Sequence, residues 1–533
     1  MGRTRSKYVE LTDDDYYDAY DSDYHSEEDS SEYERETNTV TTKVKPFIQT
    51  EKKNNTTKHV AKPDQKKNVK NLINNEQVSV PSIDNYSCVV LGHVDSGKST
   101  LMGHLFVSLG LISEGVMRKY KKESEMIGKG SFAYAWVFDD CDDERERGIT
   151  INVSAKSMMI ENKLVTILDA PGHSEFIPYS FSISMFSDNA IIVIDSSGFE
   201  AGFLKGQTVE HIIYSLLADV SNIIIAVNKL DLCNWDEKVY LNIVNTINNY
   251  INFELSDIKS DSNIIFLPIS AYFGVNILND KNHLPKEISS WYQGPSLFEV
   301  LSNINQNAKR SRSRPIECHC NKETKQFTSF SACILEIISV SSSEFKASLY
   351  IEYGHLKVGQ SYFILPFTEQ VKCRSISIHN NTYNSCSGPI YISSATFNCS
   401  INPSVGNIIV SSISSKCSGK MNNNTSVVSL LSNLYPIQIS RKLKVKCLKL
   451  LNETLLKSKN IFWNVPGQSF MIYYHCEASP ATLLSVKNDF FYFETEKDIV
   501  SYNKCSCTDT TNLSKVSVRF FGITVFIGEM IFH

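Results

Sequence analysis

The stretch Gly92-His93-Val94-Asp95-Ser96-Gly97-Lys98-Ser99 decides the fold. Two glycines with four residues between them, followed by Lys and Ser, form the pattern of a phosphate-binding loop. The apolar run 88–91 before the loop predicts a buried strand, and residues 100–109 after it predict a helix. Such a turn directs backbone N–H groups and the positive end of a helix at phosphates. The sequence therefore predicts an α/β nucleotide-binding domain.

The loop residues have predicted roles in this site. Lys98 is expected to reach the β- and γ-phosphate oxygens, and the Ser99 hydroxyl is expected to ligate Mg²⁺. The nucleotide is expected to contact the loop and the residue that follows it: Gly92, His93, Val94, Asp95, Ser96, Gly97, Lys98, Ser99 and Thr100.

A second motif predicts that the base is guanine. Asn228-Lys229-Leu230-Asp231 follows the apolar run 223–227, and ligands of open α/β sheets bind at the carboxyl ends of strands. The carboxylate of Asp231 can accept two parallel hydrogen bonds from N1–H and the exocyclic amine of guanine, which adenine cannot donate together. The other predicted base contacts are Asn228, which ties the pocket together, the Lys229 stem over the ring, and the backbone N–H groups of Ser270 and Ala271 at the guanine O6.

A third motif, Asp169-Ala170-Pro171-Gly172-His173, follows the apolar run 164–168. Asp169 is expected to hold Mg²⁺ through water, and Gly172 can bring its N–H close to the γ-phosphate because it has no side chain. Upstream, Thr150 ends the segment 145–150 and is expected to close over the metal. The predicted metal set is therefore Ser99, Thr150 and Asp169. Loss of the γ-phosphate would release both loops, as in a molecular switch.

Together these motifs resemble those of the translational GTPases related to elongation factor Tu, which share the Gly-His-Val-Asp, Arg-Gly-Ile-Thr and Asp-x-Pro-Gly-His segments. The resemblance implies GTP hydrolysis, with His173 orienting the attacking water, Val94 and Ile149 forming a hydrophobic gate beside it, and Thr150 completing the catalytic set. Ser174-Glu175 departs from the family, which often has a basic residue and then Asp there.

Four segments further resemble the HBS-type ribosome-rescue branch: 101–105, 119–124, 129–136 and 143–147. That resemblance implies a cytoplasmic factor, monomeric apart from its cargo, that delivers a Pelota-like protein to stalled ribosomes. Two alternatives stay open. One is an elongation factor that carries aminoacyl-tRNA, and the other is a nucleotide-gated scaffold with little hydrolysis.

Composition changes along the chain predict four regions. Residues 1–36 carry a net charge of −9 against +4 for the remainder, and residues 1–82 as a whole are expected to form a disordered extension, acidic and then rich in Lys and Asn. The GTP-binding domain is expected to span 83–308. Beyond the basic segment 309–314, alternating apolar and polar residues predict β-barrels over 309–420 and 421–533.

The cysteines and the hydropathy exclude several other classes. Fourteen cysteines lack the regular short spacings of a disulfide framework, which predicts reduced thiols. Cys318-His319-Cys320 and Cys505-Ser506-Cys507 lack the two-residue gap of a zinc site, so no zinc is expected there. No run of about eighteen apolar residues predicts a membrane span.

Overall fold

The protein is described here from a computed structural model. Its described residues are 84–126, 128, 130–138, 154–172, 177–256, 258, 260–278, 284–304, 330–378, 381–388, 390–399, 401–411, 437–452, 456–457, 462–474, 477–502, 515–520 and 523–531. The predicted extension over 1–82, the basic segment 309–314 and both Cys-x-Cys segments lie outside these residues.

A six-stranded sheet forms the centre of the first domain. The strands are β1 Asp84–Leu91, β2 Ser154–Ile160, β3 Lys163–Asp169, β4 Asn189–Asp195, β5 Asn222–Asn228 and β6 Asn263–Pro268. Their spatial order is β2-β3-β1-β4-β5-β6, and only β2 runs antiparallel. Helices cover both faces of such a sheet, so its strands are long apolar runs such as the fully buried Ile223–Val227.

Seven α-helices accompany this sheet in the described part of the first domain. They are α1 Lys98–Ser108, α2 Glu114–Met126, α3 Ile177–Phe186, α4 Thr208–Leu217, α5 Glu237–Asn249, α6 Lys286–Ser289 and α7 Leu297–Asn303. Local sequence sets several of their ends. The Asp236 side chain caps α5, and Ser296 with Glu299 forms a reciprocal capping box on α7. A π-helical turn, Ala201–Lys205, leads into α4.

The second domain is a closed β-barrel. Its strands, three of them short additions of three residues each, are β7 Ser331–Val340, β8 Glu344–Tyr353, β9 His355–Lys357, β10 Ser361–Leu365, β11 Glu369–Ile378, β12 Asn381–Tyr383, β13 Ser385–Ser387, β14 Ile390–Asn398 and β15 Ile408–Ser411. The order β10-β15-β7-β8-β14-β11 closes through the β10–β11 pair. The predicted turns at Gly354 and Gly359 are present, with φ of 85° and 83°.

The third domain is a second closed barrel. Its strands are β16 Ile437–Leu450, β17 Ser469–Tyr474, β18 Glu477–Lys487, β19 Phe490–Tyr502, β20 Lys515–Phe520 and β21 Ile523–Ile531. The order is β16-β19-β18-β17-β20-β21, and β21 pairs back with β16. Alternate residues such as Phe470, Phe493 and Phe526 fill the interior. The predicted fold class, an α/β nucleotide-binding domain followed by two β-barrels, is confirmed.

The barrels pack on the nucleotide-binding domain through buried contacts. One apolar cluster contains Phe186 of α3, Tyr350 and Val410 of the first barrel, and Val500 of the second. A polar contact joins α4 to the second barrel. The half-buried Glu210 carboxylate accepts hydrogen bonds from Asn452 Nδ2 (3.1 Å) and Thr524 Oγ1 (3.3 Å).

No helix within the described ranges is both long and apolar enough to cross a lipid bilayer.

Candidate guanine-nucleotide site

The predicted site residues converge at one edge of the first sheet. The parallel strands β1, β3, β4, β5 and β6 end there, and the chain leaves the central strand β1 toward β3 on one side and β4 on the other. In open α/β sheets this change of direction creates the ligand crevice. The site has two ends, which we call the phosphate end, around Gly92–Ser99, and the base end, around Asn228–Asp231.

The phosphate end depends on glycines that no other residue could replace. Gly92 and Gly97 have φ of 150° and 91°, values that favour glycine. A Cβ at Gly92 would overlap the Val193 carbonyl oxygen, and a Cβ at Gly97 would overlap the Asn228 amide. The loop therefore lies directly against β4 and the base end. Around it, Ser96 is buried, His93, Val94 and Thr100 are half-buried, and Asp95 is exposed.

The Lys98 ammonium is buried beneath this loop. Its Nζ donates to the carbonyls of Gly92 (3.1 Å) and His93 (3.0 Å). Burial lowers the pKa of Lys98, and the Asp169 and Asp95 carboxylates oppose that shift. A buried cation whose described hydrogen bonds go to neutral carbonyls is suited to exchange one of them for a phosphate oxygen, because a charged partner gives the stronger bond.

Ser99 and Asp169 meet although seventy residues separate them in the chain. The Ser99 hydroxyl donates to Asp169 Oδ2 at 2.6 Å, and Asp169 is fully buried at the end of β3. A hydroxyl and a carboxylate are the hard oxygen donors that Mg²⁺ prefers. This donor pair fits the predicted metal ion. Thr150, the third predicted ligand, lies outside the described residues.

The second loop approaches the first at Gly172. A Cβ there would overlap Lys98 Nζ, so a side chain would push the loop away from the ammonium. The residues predicted to act in hydrolysis are not brought together in the described part of the chain. Val94 is placed in the phosphate loop, whereas Ile149, Thr150 and His173 lie outside the described residues.

Asn228 joins the two ends of the site. Its Nδ2 donates to the Ser96 carbonyl (2.8 Å), and its Oδ1 accepts from the Ala271 N–H (2.8 Å). The Ala271 N–H, which the sequence assigned to guanine O6, is thus bonded to Asn228, and the Ser270 N–H donates to the Val275 carbonyl. The role of these two N–H groups at O6 stays a prediction.

The other base-end residues lie in the turn after β5. Asp231 is half-buried in the 3₁₀ turn Leu230–Cys233, and Lys229 precedes that turn with a left-handed φ of 61°. Lys229 Nζ lies 2.7 Å from Asp195 Oδ2, at the end of β4. Asp195 was missed by sequence reasoning. The available signal was an acidic residue ending an apolar strand next to the Asn-Lys-x-Asp strand.

Each end of the site is backed by a histidine to which the sequence assigned no role, fully buried at the phosphate end and half-buried at the base end. His211 of α4 is fully buried beside the Gly92 backbone, where burial, Lys98 and His93 lower its pKa to about 3. His104 of α1 donates from Nδ1 to the Ala271 carbonyl (2.8 Å) and stacks on Tyr134 with ring centroids 4.3 Å apart. Burial lowers the pKa of His104, although hydrogen bonds to the base loop oppose the shift. Both rings are therefore neutral near pH 7.

The His93 side chain extends away from the phosphate loop. Its Nδ1 bonds the Gln207 side chain, next to the π-helical turn Ala201–Lys205. A Cβ at Gly206 would lie 2.9 Å from His93 Nδ1, so this glycine leaves the space that the imidazole occupies. Short π-helical turns are frequent at functional sites, because they break the regular ladder of a helix.

A phosphate loop, a magnesium-compatible donor pair and an Asn-Lys-x-Asp turn at one sheet edge define a nucleotide-binding domain of the P-loop GTPase class. Residues 84–317 match the family model described as the elongation factor Tu GTP binding domain. Residues 84–317 thus form a GTP-binding domain of the elongation factor Tu type, and the chain is similar to translational GTPases that include Protein HBS1.

Individual relatives agree with this family. The chain is 33% identical over 323 residues to Protein HBS1 of Drosophila melanogaster, covering 60% of this chain and 45% of that protein. It is 34% identical over 301 residues to elongation factor 1-alpha of Ignicoccus hospitalis, covering 55% of this chain and 62% of that protein. The chain thus spans about half the length of the curated relatives it matches.

Solved structures show the same fold. The Saccharomyces cerevisiae Ski7 GTPase-like domain, bound to GDP and inorganic phosphate, is similar with a TM-score of 0.62 and 19% identity, covering 84% of this chain and 97% of that one. The Methanococcus maripaludis elongation factor SelB is similar with a TM-score of 0.52 and 16% identity, covering 84% of this chain and 79% of that one.

Proposed function

We propose that the chain binds GTP with Mg²⁺ and hydrolyses GTP on the ribosome, delivering a Pelota-like protein to stalled ribosomes for rescue and mRNA quality control. The observation that carries the proposal is the Asn228 side chain. Its two 2.8 Å bonds join the phosphate loop to the base loop, so that the predicted triphosphate and guanine contacts form one continuous site.

The residues have distinct roles in this mechanism. Lys98 and the loop N–H groups neutralise the β- and γ-phosphates, and Asp231 selects guanine. Ser99 and Asp169, with Thr150, would hold Mg²⁺, which stabilises charge on the phosphate oxygens when bound. The family motif assigns the orientation of the attacking water to His173, with Val94 and Ile149 flanking it.

The likeness to Protein HBS1 and the segments 101–105, 119–124, 129–136 and 143–147 support ribosome rescue as the role. In this role the protein works in the cytoplasm, as one copy bound to its cargo.

Single-turnover hydrolysis with purified stalled ribosomes tests the enzymatic part. The parent chain should hydrolyse bound GTP faster with ribosomes than without them, and His173→Ala should abolish this acceleration while GDP still binds. His355→Ala is the matched control, because His355 is exposed on the first barrel and should not affect the rate. Equal rates for the parent and His173→Ala would refute the catalytic assignment.

An elongation factor that carries aminoacyl-tRNA is the second candidate. The similarity to elongation factor 1-alpha, at 34% identity over 301 residues, favours it. Affinity purification with a non-hydrolysable GTP analogue separates the two. Recovery of a Pelota-type protein supports rescue, and recovery of aminoacyl-tRNA in its place supports elongation.

A further inference from the structure

Asp195 is fixed more firmly than an ordinary surface carboxylate. It ends β4 beside Asn228 of β5 in the sheet register. Its Oδ2 contacts Lys229 Nζ at 2.7 Å, while Oδ1 accepts from Ser197 N (2.9 Å), Ser197 Oγ (2.6 Å) and Gly198 N (3.3 Å). Both oxygens are therefore bonded, and the carboxylate cannot rotate without losing several contacts.

The ion pair fixes the side chain of Lys229 in turn. The Asp195 and Lys229 side chains are 24% and 30% exposed, so water only partly screens their attraction. Burial alone would raise the pKa of Asp195, but hydrogen bonds from Lys229 and Ser197 lower it, so the carboxylate is ionised at neutral pH. An isolated, fully exposed pair would contribute little. This pair is different because three further bonds anchor one partner.

We infer that Asp195 is a positioning residue for the guanine base: it holds the Lys229 ammonium so that the four-carbon stem lies ready to cover one face of the ring. The inference rests on the proposed function, because Lys229 reaches a base only if guanine nucleotide binds beside Asp231. A free lysine stem would have to be ordered when the nucleotide binds, and ordering it in advance slows dissociation. One immobilised side chain corresponds to about a three- to tenfold change in dissociation rate.

A double-mutant cycle on the full chain tests the inference, with stopped-flow dissociation of a fluorescent GDP analogue as the readout. Asp195→Asn removes the charge, and Lys229→Met removes the ammonium but keeps an apolar stem. Each should raise the dissociation rate about three- to tenfold, and the double variant should be no faster than Lys229→Met alone. Additive effects, or an unchanged rate for Asp195→Asn, would overturn the inference.

Two controls separate positioning from damage to the fold. Asp219→Asn makes the same substitution at the opposite edge of the sheet, where Asp219 accepts from Ser260 Oγ (3.1 Å), and should leave the rate unchanged. The inosine analogue lacks the exocyclic amine but keeps the ring face, so Asp195→Asn should accelerate GDP and IDP dissociation by the same factor. A factor that differed between them would place Asp195 in base readout and contradict the inference. If the parent chain bound no GDP, the proposed function and the inference about Asp195 would both fail.

Discussion

The phosphate end and the base end of the site are prepared for ligand in different ways. At the phosphate end, Lys98 is bonded to loop carbonyls and Ser99 to Asp169, and a nucleotide with its metal would replace these contacts. At the base end, Asn228 and the Lys229–Asp195 pair form a framework that a base would not displace. The comparison teaches that the phosphate end binds by exchanging contacts, whereas the base end holds its frame in advance and leaves base selection to Asp231.

The largest expected effect is at the phosphate end. Lys98→Ala removes the only buried ammonium beneath the described phosphate loop, and should weaken GTP and GDP binding by about 100-fold or more. Isothermal titration calorimetry measures both affinities. Lys119→Ala is the control, since Lys119 lies exposed on α2 and pairs only with Glu123 in the contacts described here. Unchanged affinity in Lys98→Ala would contradict the claim that the exchangeable contacts at the phosphate end provide nucleotide affinity.

The next effect is at the base end and changes selectivity. Asp231→Asn should weaken GDP binding about 10- to 100-fold and strengthen XDP binding, because an amide can donate to the xanthine O2 where guanine carries its amine. Competition between the two nucleotides measures the exchange. Asp236→Asn, at the exposed N-cap of α5, should change neither affinity. An unchanged preference for GDP would contradict the assignment of Asp231 to the base pocket.

A substitution at the junction should affect both ends together. Asn228→Ala leaves the Ser96 carbonyl and the Ala271 N–H without their bonds, and should lower the free energy of unfolding by about 2 kcal/mol. GDP affinity should fall about tenfold, with no change in the ratio of GDP to XDP. Denaturant unfolding and titration measure the two effects. Asn222→Ala, at the other end of the same strand, should leave GDP affinity intact.

The last expected effect concerns the pH dependence of stability and distinguishes His211 from His104. The pKa of His211 falls to about 3 in the folded chain, below its ordinary value of about 6.5. Between these values the unfolded state binds a proton that the folded state does not, so stability decreases as pH falls through this window. The limiting slope is about 1.4 kcal/mol per pH unit.

Variants at each histidine sharpen that comparison. His211→Gln should reduce the loss of unfolding free energy between pH 7 and pH 4 more than His104→Gln does. The reason is that hydrogen bonds to the base loop oppose the pKa shift at His104. Thermal unfolding from pH 7 to pH 4 gives the slopes. His355→Gln, at an exposed position of the first barrel, should show the same pH dependence of stability as the parent. An equal change of slope in His211→Gln and His104→Gln would contradict the difference in pKa between the two histidines.

The sequence predicted the parts of the molecule in which chemistry and local pattern coincide. The run 223–227 became β5 Asn222–Asn228, residues 100–109 became α1 Lys98–Ser108, and 164–168 became β3 Lys163–Asp169. Glycine spacing and strand-end polarity are local signals, so the fold class was accessible without coordinates. The alternation at 347–351 and 371–376 likewise predicted β8 and β11.

What the sequence did not reveal depends on the register between distant segments. Asp195 becomes a partner of Lys229 only because β4 and β5 pair in parallel with Asp195 opposite Asn228. His104 meets Ala271 only after α1 packs beside the base loop. Barrel closure, through β10–β11 and β16–β21, is equally invisible in a pattern of alternating residues. Such relations come from tertiary packing rather than from propensity.

Glu210 and His211 are neighbours on the first turn of α4 but contact different domains. His211 packs behind Gly92, whereas Glu210 bonds Asn452 and Thr524 of the second barrel. Hydrogen bonds weaken when the donor–acceptor distance grows by a few tenths of an ångström. A larger shift of this turn toward the phosphate loop would therefore weaken its bonds to the second barrel. The first turn of α4 thus connects the phosphate loop to the second barrel through two adjacent residues, so a shift at either contact would strain the other.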